Sequence, residues 1–289
     1  MARLHIGLPM WNHPQWHGRF FAADTRPADC LKHYASVFNS VEGNTSFYAI
    51  PSEASLLHWR QSVPADFRFC FKLPKSITHD LKLQRCDAIV DGFFQRIQLL
   101  REQLGPLIIQ LPATFDSNGL PVLAQFLKTL PAMFRYVVEV RHADFFAGGE
   151  PQRQLEQLLA RYRIDRLCFD TRALFDSHDG SEATRDAQRK KPQLPLINIR
   201  EARTPVLRFI GHSNMAASSD YFADWVEQVA GWLQAGREPY LFFHMADNGD
   251  APELAALLWR QLQQRLPQLP DFPDWPAARH GDDGQISLF

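Results

Sequence analysis

Short runs rich in β-branched and aromatic residues recur along this chain at a nearly even interval, each followed by a longer segment of helical spacing. That alternation limits the fold more than any other feature. Eight runs read as strands: residues 4–8, 37–42, 67–73, 106–111, 136–141, 165–170, 206–210 and 239–244. Helical spacing predicts helices over 28–35, 52–62, 86–103, 119–130, 151–162, 181–190, 219–235 and 252–266. One polar or punctuating residue near each strand end, taken as Pro9, Glu42, Lys72, Gln110, Arg141, Asp170, Arg208 and His244, gives steps of about 29 to 38 residues. Each step accommodates one strand, one helix and their loops. The expectation is an α/β fold of TIM type, a (β/α)8 barrel forming a single domain over residues 1–266. An open doubly wound sheet has fewer strands and a less regular step. A chain of 289 residues with 45% hydrophobic content is long enough to bury one core of that size.

Local signals support several boundaries. Pro51-Ser52-Glu53 offers a capping hydroxyl and an early acid, Ser181-Glu182 does the same, and Pro252-Glu253 puts proline in a first turn, where its missing N–H costs nothing. Segment 171–200, polar and carrying Pro192 and Pro195, reads as a long active-site loop with a short helix. From Leu266 onward, Pro267, Pro270, Pro273 and Pro276 precede Gly281-Asp282-Asp283-Gly284, which predicts a semi-extended, flexible tail over 267–289.

Lys and Arg total 31 against 32 Asp and Glu, so no global charge draws the chain to nucleic acid or membrane, and anion binding must be local. The amino terminus lacks the basic and then apolar pattern of a signal peptide, and no apolar run is long enough to span a bilayer, so a cytoplasmic protein without membrane contact is expected. Cys30, Cys70, Cys86 and Cys168 are widely spaced with no C-x-x-C pair, and reduced thiols are expected in preference to a disulfide or zinc site.

Several blocks at strand ends together resemble one family. They are Gly7-Leu8-Pro9-Met10-Trp11 with His13-Pro14-Gln15-Trp16, Val41-Glu42-Gly43-Asn44-Thr45-Ser46-Phe47-Tyr48, and Phe69-Cys70-Phe71-Lys72-Leu73-Pro74 with Ile77-Thr78-His79. Gln110-Leu111-Pro112, Val138-Glu139-Val140-Arg141-His142, Asp170-Thr171-Arg172, Ser181-Glu182-Ala183 with the basic run from Arg185 to Lys191, Arg208-Phe209-Ile210-Gly211 and Leu241-Phe242-Phe243-His244 continue the match. The pattern, spread over nearly the whole chain, resembles the YecE-like proteins, domain of unknown function 72. The resemblance implies a TIM-type barrel and brings no reaction with it. Ser46 stands where relatives often show threonine and Met245 where they often show a polar residue, departures that bear on fine substrate contacts.

In a β/α barrel the carboxyl ends of the strands build the active site. Glu42, Lys72, Glu139, Arg141 and Asp170 are the catalytic candidates, and Trp11, Asn44, Tyr48, His79, Gln110, His142, Arg172, Arg208 and His244 the candidates for substrate contact. Lys72, Arg141, Arg172 and Arg208 would offer a cationic pocket for a carboxylate or phosphate, arginine gripping it at two points. Glu42, Glu139 and Asp170 would serve as general acid and base, provided their surroundings separate their pKa values. The alternative is a polar plug of mutual ion pairs. A divalent metal held by these acids with His79, His142 and His244 is a competing use, although no H-x-x-x-H or H-E-x-x-H spacing supports it. Trp11, Trp16, Phe47 and Tyr48 are lid packing or a stacking surface for a sugar or base, with packing favoured for Trp16. The run Arg185 to Lys191 is a solvated helix face or a flap that grips phosphate. The chain has no G-x-S-x-G elbow, P-loop or dinucleotide glycine fingerprint, so neither a serine nucleophile nor a nucleotide cofactor is expected.

The last five residues, Gln285-Ile286-Ser287-Leu288-Phe289, resemble the peptide with which bacterial DNA polymerases and repair proteins dock on the sliding clamp. Leu288 and Phe289 would fill an apolar pocket and Gln285 would make polar contacts, unless the tail folds back on the barrel. Two functions follow as expectations. One is an enzyme acting on an anionic substrate, a sugar phosphate or nucleic-acid fragment, by phosphoesterase-like hydrolysis or by isomerase or lyase chemistry. The other is a noncatalytic, clamp-associated module that binds nucleic acid.

Overall fold

The computed structural model describes residues 2–282. Among these described residues nine strands run in chain order: β1 (His5–Gly7), β2 (Ser40–Gly43), β3 (Arg68–Phe71), β4 (Leu107–Gln110), β5 (Tyr136–Glu139), β6 (Asp165–Arg166), β7 (Cys168–Asp170), β8 (Val206–Ile210) and β9 (Tyr240–His244). All pair in parallel, in three sheets ordered β1-β9-β8-β7, β2-β3 and β4-β5-β6. The fold is therefore α/β with parallel strands, as the alternation predicts, but the continuous eight-stranded ladder expected from the sequence is divided into three.

The divisions have local causes. Between β1 and β2 the side chain of Asn39 substitutes for a ladder residue, accepting from Ile6 N–H at 2.8 Å and donating to the Leu4 carbonyl at 2.8 Å. The two backbones come so close there that a Cβ on Gly7 would lie 2.1 Å from the Ser40 carbonyl oxygen. Glu42 N–H then donates to Leu8 O at 3.0 Å. Between β3 and β4, Gly105 N–H reaches Phe69 O at 2.9 Å and Leu73 N–H reaches Ile108 O at 3.0 Å. The single strand expected over 165–170 is two, because Leu167 N–H donates back to Val138 on β5 while β7 pairs with β8.

Successive side chains of a strand point to opposite faces. One face of all three sheets converges on a small buried cluster of Cys70, Ile108, Val137, Leu167, Val206, Tyr240 and Phe242. The other face meets the helices in the main core, where Phe69, Ile109, Val138, Cys168, Phe209 and Phe243 pack. Among the helices, Glu53–Ser62 is capped by Ser52, whose hydroxyl accepts from Ser55 N–H at 3.1 Å, and Glu182–Lys190 by Ser181, which accepts from Thr184 N–H at 3.1 Å. Both starts were legible from the cap residues. All four cysteines are free and buried.

The proline-bearing stretch expected to be loose from residue 267 is instead packed. Leu269, Phe272 and Trp275 alternate with the prolines and lie against the core, Trp275 meeting Phe20 at 5.8 Å and Phe272 meeting Phe38 at 5.9 Å between ring centroids. Trp259 Nε1 donates to Pro270 O at 3.0 Å, and Ala277 N–H to Phe20 O at 3.1 Å. No described helix is long and apolar enough to cross a membrane.

Candidate functional site

The inward face that carries the apolar cluster becomes polar toward the carboxyl ends of the strands. Two residues beyond Ser40 comes Glu42, beyond Cys70 Lys72, beyond Ile108 Gln110, beyond Val137 Glu139, beyond Val206 Arg208 and beyond Phe242 His244. Period two thus brings six residues, remote in sequence, to one level.

Arg208 lies at their centre, 2% exposed. Its Nε donates to Glu42 Oε2 at 2.9 Å and its Nη1 to Glu139 Oε2 at 2.6 Å, while its guanidinium lies 4.4 Å from the Phe169 ring centroid. His244 Nε2 is 2.9 Å from the same Glu42 oxygen, and Lys72 Nζ lies 3.0 Å from Glu42 Oε1. Arg141 completes the group by donating from Nε to Glu139 Oε1 at 2.6 Å. Burial pushes both carboxyls up, but the cations prevail: Arg208, Lys72 and His244 hold Glu42 well below the usual carboxylate range, and Arg141, Arg208 and Lys72 bring Glu139 down to about 2. Burial pulls His244 down to about 4 against the opposing attraction of Glu42, so its imidazole is neutral at pH 7 and donates from Nε2–H to the carboxylate.

Above this layer opens a cavity of about 810 Å³. Of the predicted site residues, Trp11, Glu42, Asn44, Tyr48, Lys72, His79, Gln110, Arg141, Arg208 and His244 line it. Glu139 lies beneath, reached through its two arginines. Asn44 is oriented by its Nδ2 bond to Pro9 O at 2.9 Å, and the buried Ser46 hydroxyl sits 2.7 Å from the carbonyl oxygen of Lys72. Trp11 packs edge-on against Trp59 at 5.0 Å, whereas Tyr48 stands 81% exposed on the rim. Trp16 is fully buried and donates to Asn248 O at 3.0 Å, a packing role.

Besides Glu139, three predicted residues among those described fall outside the cavity lining. Asp170 shares the outward face of β7 with Cys168, where its carboxylate takes two bonds from Arg172 at 2.8 and 3.0 Å and one from Trp225 Nε1 at 2.8 Å. The inward residue of that strand is Phe169, paired in register with Arg208. Arg172 is therefore spent on Asp170 on the far side of the strand. His142 caps a short helical turn, its Nδ1 accepting from Asp144 N–H at 3.3 Å. With Asp170 and His142 away from the mouth, the set of acids and histidines considered for a metal is not assembled, and among the described residues no group of three or more such ligands is gathered. Gln285, Leu288 and Phe289 lie outside the described residues.

The structure adds Lys75, Lys190 and Lys191 to the lining. The latter two end the basic run, whose helix lies over the mouth with Ala187 packed on Ile210 and Leu174. Lys190 pairs with Asp186 at 2.6 Å and Lys75 with Asp80 at 3.2 Å. Lys191 has no carboxylate partner among the described residues, and burial together with Arg208 and Lys72 pushes its ammonium down to about 8. Gln110, 6% exposed, leaves its Oε1 without a partner among the described residues.

Comparison with known proteins agrees with the strand-end motifs. Residues 5–278 match the model of a family described as "Protein of unknown function DUF72". The chain is 42% identical over 266 residues to the UPF0759 protein YecE of Escherichia coli K12, covering 92% of this chain and 95% of that protein, and 41% identical to its counterpart in Escherichia coli O157:H7 over the same shares. In fold it resembles the crystal structure of a DUF72 family protein from Thermotoga maritima MSB8, with a TM-score of 0.69 at 22% identity over 92% of this chain and all of that one. A DUF72 family protein from Enterococcus faecalis V583 gives 0.63 at 20% identity over 93% of this chain and 99% of that one. The cluster around Arg208 is thus carried by a chain that belongs to the DUF72 family.

Proposed function

We propose that the three sheets are the wall of one eight-stranded β/α barrel, and that its mouth is the active site of an enzyme acting on a small anionic substrate bearing phosphate or carboxylate. The cyclic succession of parallel neighbours supports the barrel, with Glu42 N–H to Leu8 O closing β1 on β2 and Leu73 N–H to Ile108 O closing β3 on β4.

The observation that carries the function is the charge balance at the mouth. Lys72, Arg141, Lys191 and Arg208 face the two carboxylates Glu42 and Glu139, and each oxygen of both carboxylates already lies within 3.0 Å of a cation. A polar plug would end in neutrality, whereas this cluster ends with cationic surplus directed at an open cavity. The Gln110 side-chain amide, which lines the same cavity, suits a hydroxyl on the same ligand. A small phosphorylated or carboxylated polyol has both features. The chemistry is assigned to the class of hydrolysis, isomerisation or lyase reactions, in which proton transfer and charge stabilisation suffice.

Calorimetric titration with inorganic phosphate and with a panel of sugar phosphates and hydroxy acids tests this reading. Wild type is expected to bind and turn over at least one panel member, and Arg141→Ala is expected to weaken binding about tenfold or more, the worth of one charge-assisted hydrogen bond. Equal affinity in wild type and Arg141→Ala would refute the site.

A further inference from the structure

Resting on that reading, we propose that His79, and neither Glu42 nor Glu139, is the group that takes up and returns a proton at the reacting centre, through its Nε2 atom. The carboxylates are committed. Each oxygen of Glu42 and Glu139 meets Lys72, His244, Arg141 or Arg208 within 3.0 Å, and accepting a proton would break those contacts. His244 is committed as well, with Nε2 on Glu42. The remaining charged groups of the cavity lining are lysines and arginines.

His79 differs from all of these. It lines the cavity, its Nδ1 is 2.8 Å from Thr78 Oγ1, and its Nε2 has no partner among the described residues. It is carried by a single turn of π-helix, Ser76–Asp80, closed by Leu81 N–H to Ser76 O at 3.0 Å, a widened turn of the kind that recurs at functional sites. Phe47 packs edge-on against its ring at 5.1 Å.

The neighbouring groups select the tautomer. The buried Thr78 hydroxyl has one proton, and the Pro74 carbonyl 3.4 Å away can only accept it. When the hydroxyl donates there, the short contact is Nδ1–H donating to Oγ1, which leaves a lone pair on Nε2. The opposite arrangement gives up only the longer Thr78 contact to the Pro74 carbonyl, which keeps Ile77 N–H at 3.0 Å, but it aims an N–H at a cationic cavity. Burial above all keeps the imidazole below its ordinary pKa, hence neutral at pH 7, and Arg141 and Lys75 add to it against the opposing pull of Asp80 and Glu139. A neutral base beside the anion-binding cations can accept a proton from a C–H, an O–H or an attacking water next to the substrate's anionic group. The resulting imidazolium then returns that proton to product or leaving group, and no redox partner is needed.

Long-range proton–nitrogen NMR of the histidine side chains and acylation by diethyl pyrocarbonate, followed by mass spectrometry, test this without a known substrate. At pH 7.5 the expected spectrum of wild type has Nδ1 protonated and Nε2 bare at His79, with His79 acylated while the buried His5 and His244 are spared. Thr78→Val is expected to slow His79 acylation about fivefold, the factor one hydrogen bond confers, and Thr78→Ser to restore it. A protonated Nε2 in wild type, or a His79 as inert as His244, would overturn the proposal. Inorganic phosphate is expected to protect His79. Reactivity that persists undiminished in saturating phosphate would overturn the anion site instead, so the two failures are distinguishable.

Discussion

Removing the guanidinium of Arg208 would take one cation from each of two buried carboxylates, leaving Glu42 with Lys72 and His244 and Glu139 with Arg141. Arg208→Met is expected to cost about 3–5 kcal/mol, the penalty for breaking a buried ion pair from one side, and urea denaturation measures it. The same cluster sets a pH dependence. Glu42, Glu139 and His244 all have folded pKa values below their ordinary ones, Glu139 near 2 and His244 near 4, so in acid the unfolded chain binds the extra protons. Their stabilisation is complete above about pH 6.5 and is lost first through His244 between about 6.5 and 4, then through the carboxylates from about 4.5 toward 2. A denaturation midpoint that is constant from pH 7 to pH 4 would contradict this. Most of the mouth was legible at this scale, because charged residues on inward positions of apolar strands have few places to go. Asp170 departs from the expectation because the end of a run does not fix its face: counting by twos from Leu167 reaches Phe169, and Asp170 falls outward with Cys168.

Elements with cap residues or strong periodicity were placed well from sequence, as at Ser52 and Ser181. Short turns were not: Thr45–Tyr48, Arg172–Phe175 and the π-turn Ser76–Asp80 are too brief to have a period, and backbone geometry decides them. The ladder breaks were equally hidden, since they depend on a side chain, Asn39, taking a backbone's place. Gly7→Ala tests that contact. Its new methyl would press on the Ser40 carbonyl, and a loss of about 1–3 kcal/mol is expected by thermal or chemical denaturation. The helix Glu182–Lys190 makes the complementary case. Lys191→Gln is expected to weaken phosphate binding about tenfold by calorimetry while leaving the urea midpoint in place, because among the described residues Lys191 carries no ion pair that holds the fold.

For the whole molecule, the even strand interval was enough for the α/β class, while the tail was not readable, because prolines conceal that Leu269, Phe272 and Trp275 interleave with them at packing distance. Truncation after Leu266 is expected to lower the melting temperature by several degrees, since it uncovers Phe20, Phe38 and Trp259. At this scale the position of Arg208 has a further consequence. It stands on β8, Glu42 on β2 and Glu139 on β5, so one side chain fastens strands from each of the three ladders. None of the ladders can fray away without surrendering the same knot. Amide protons in β2, β5 and β8 should therefore exchange with solvent deuterium in a single concerted event, and severing the knot should split that event into three.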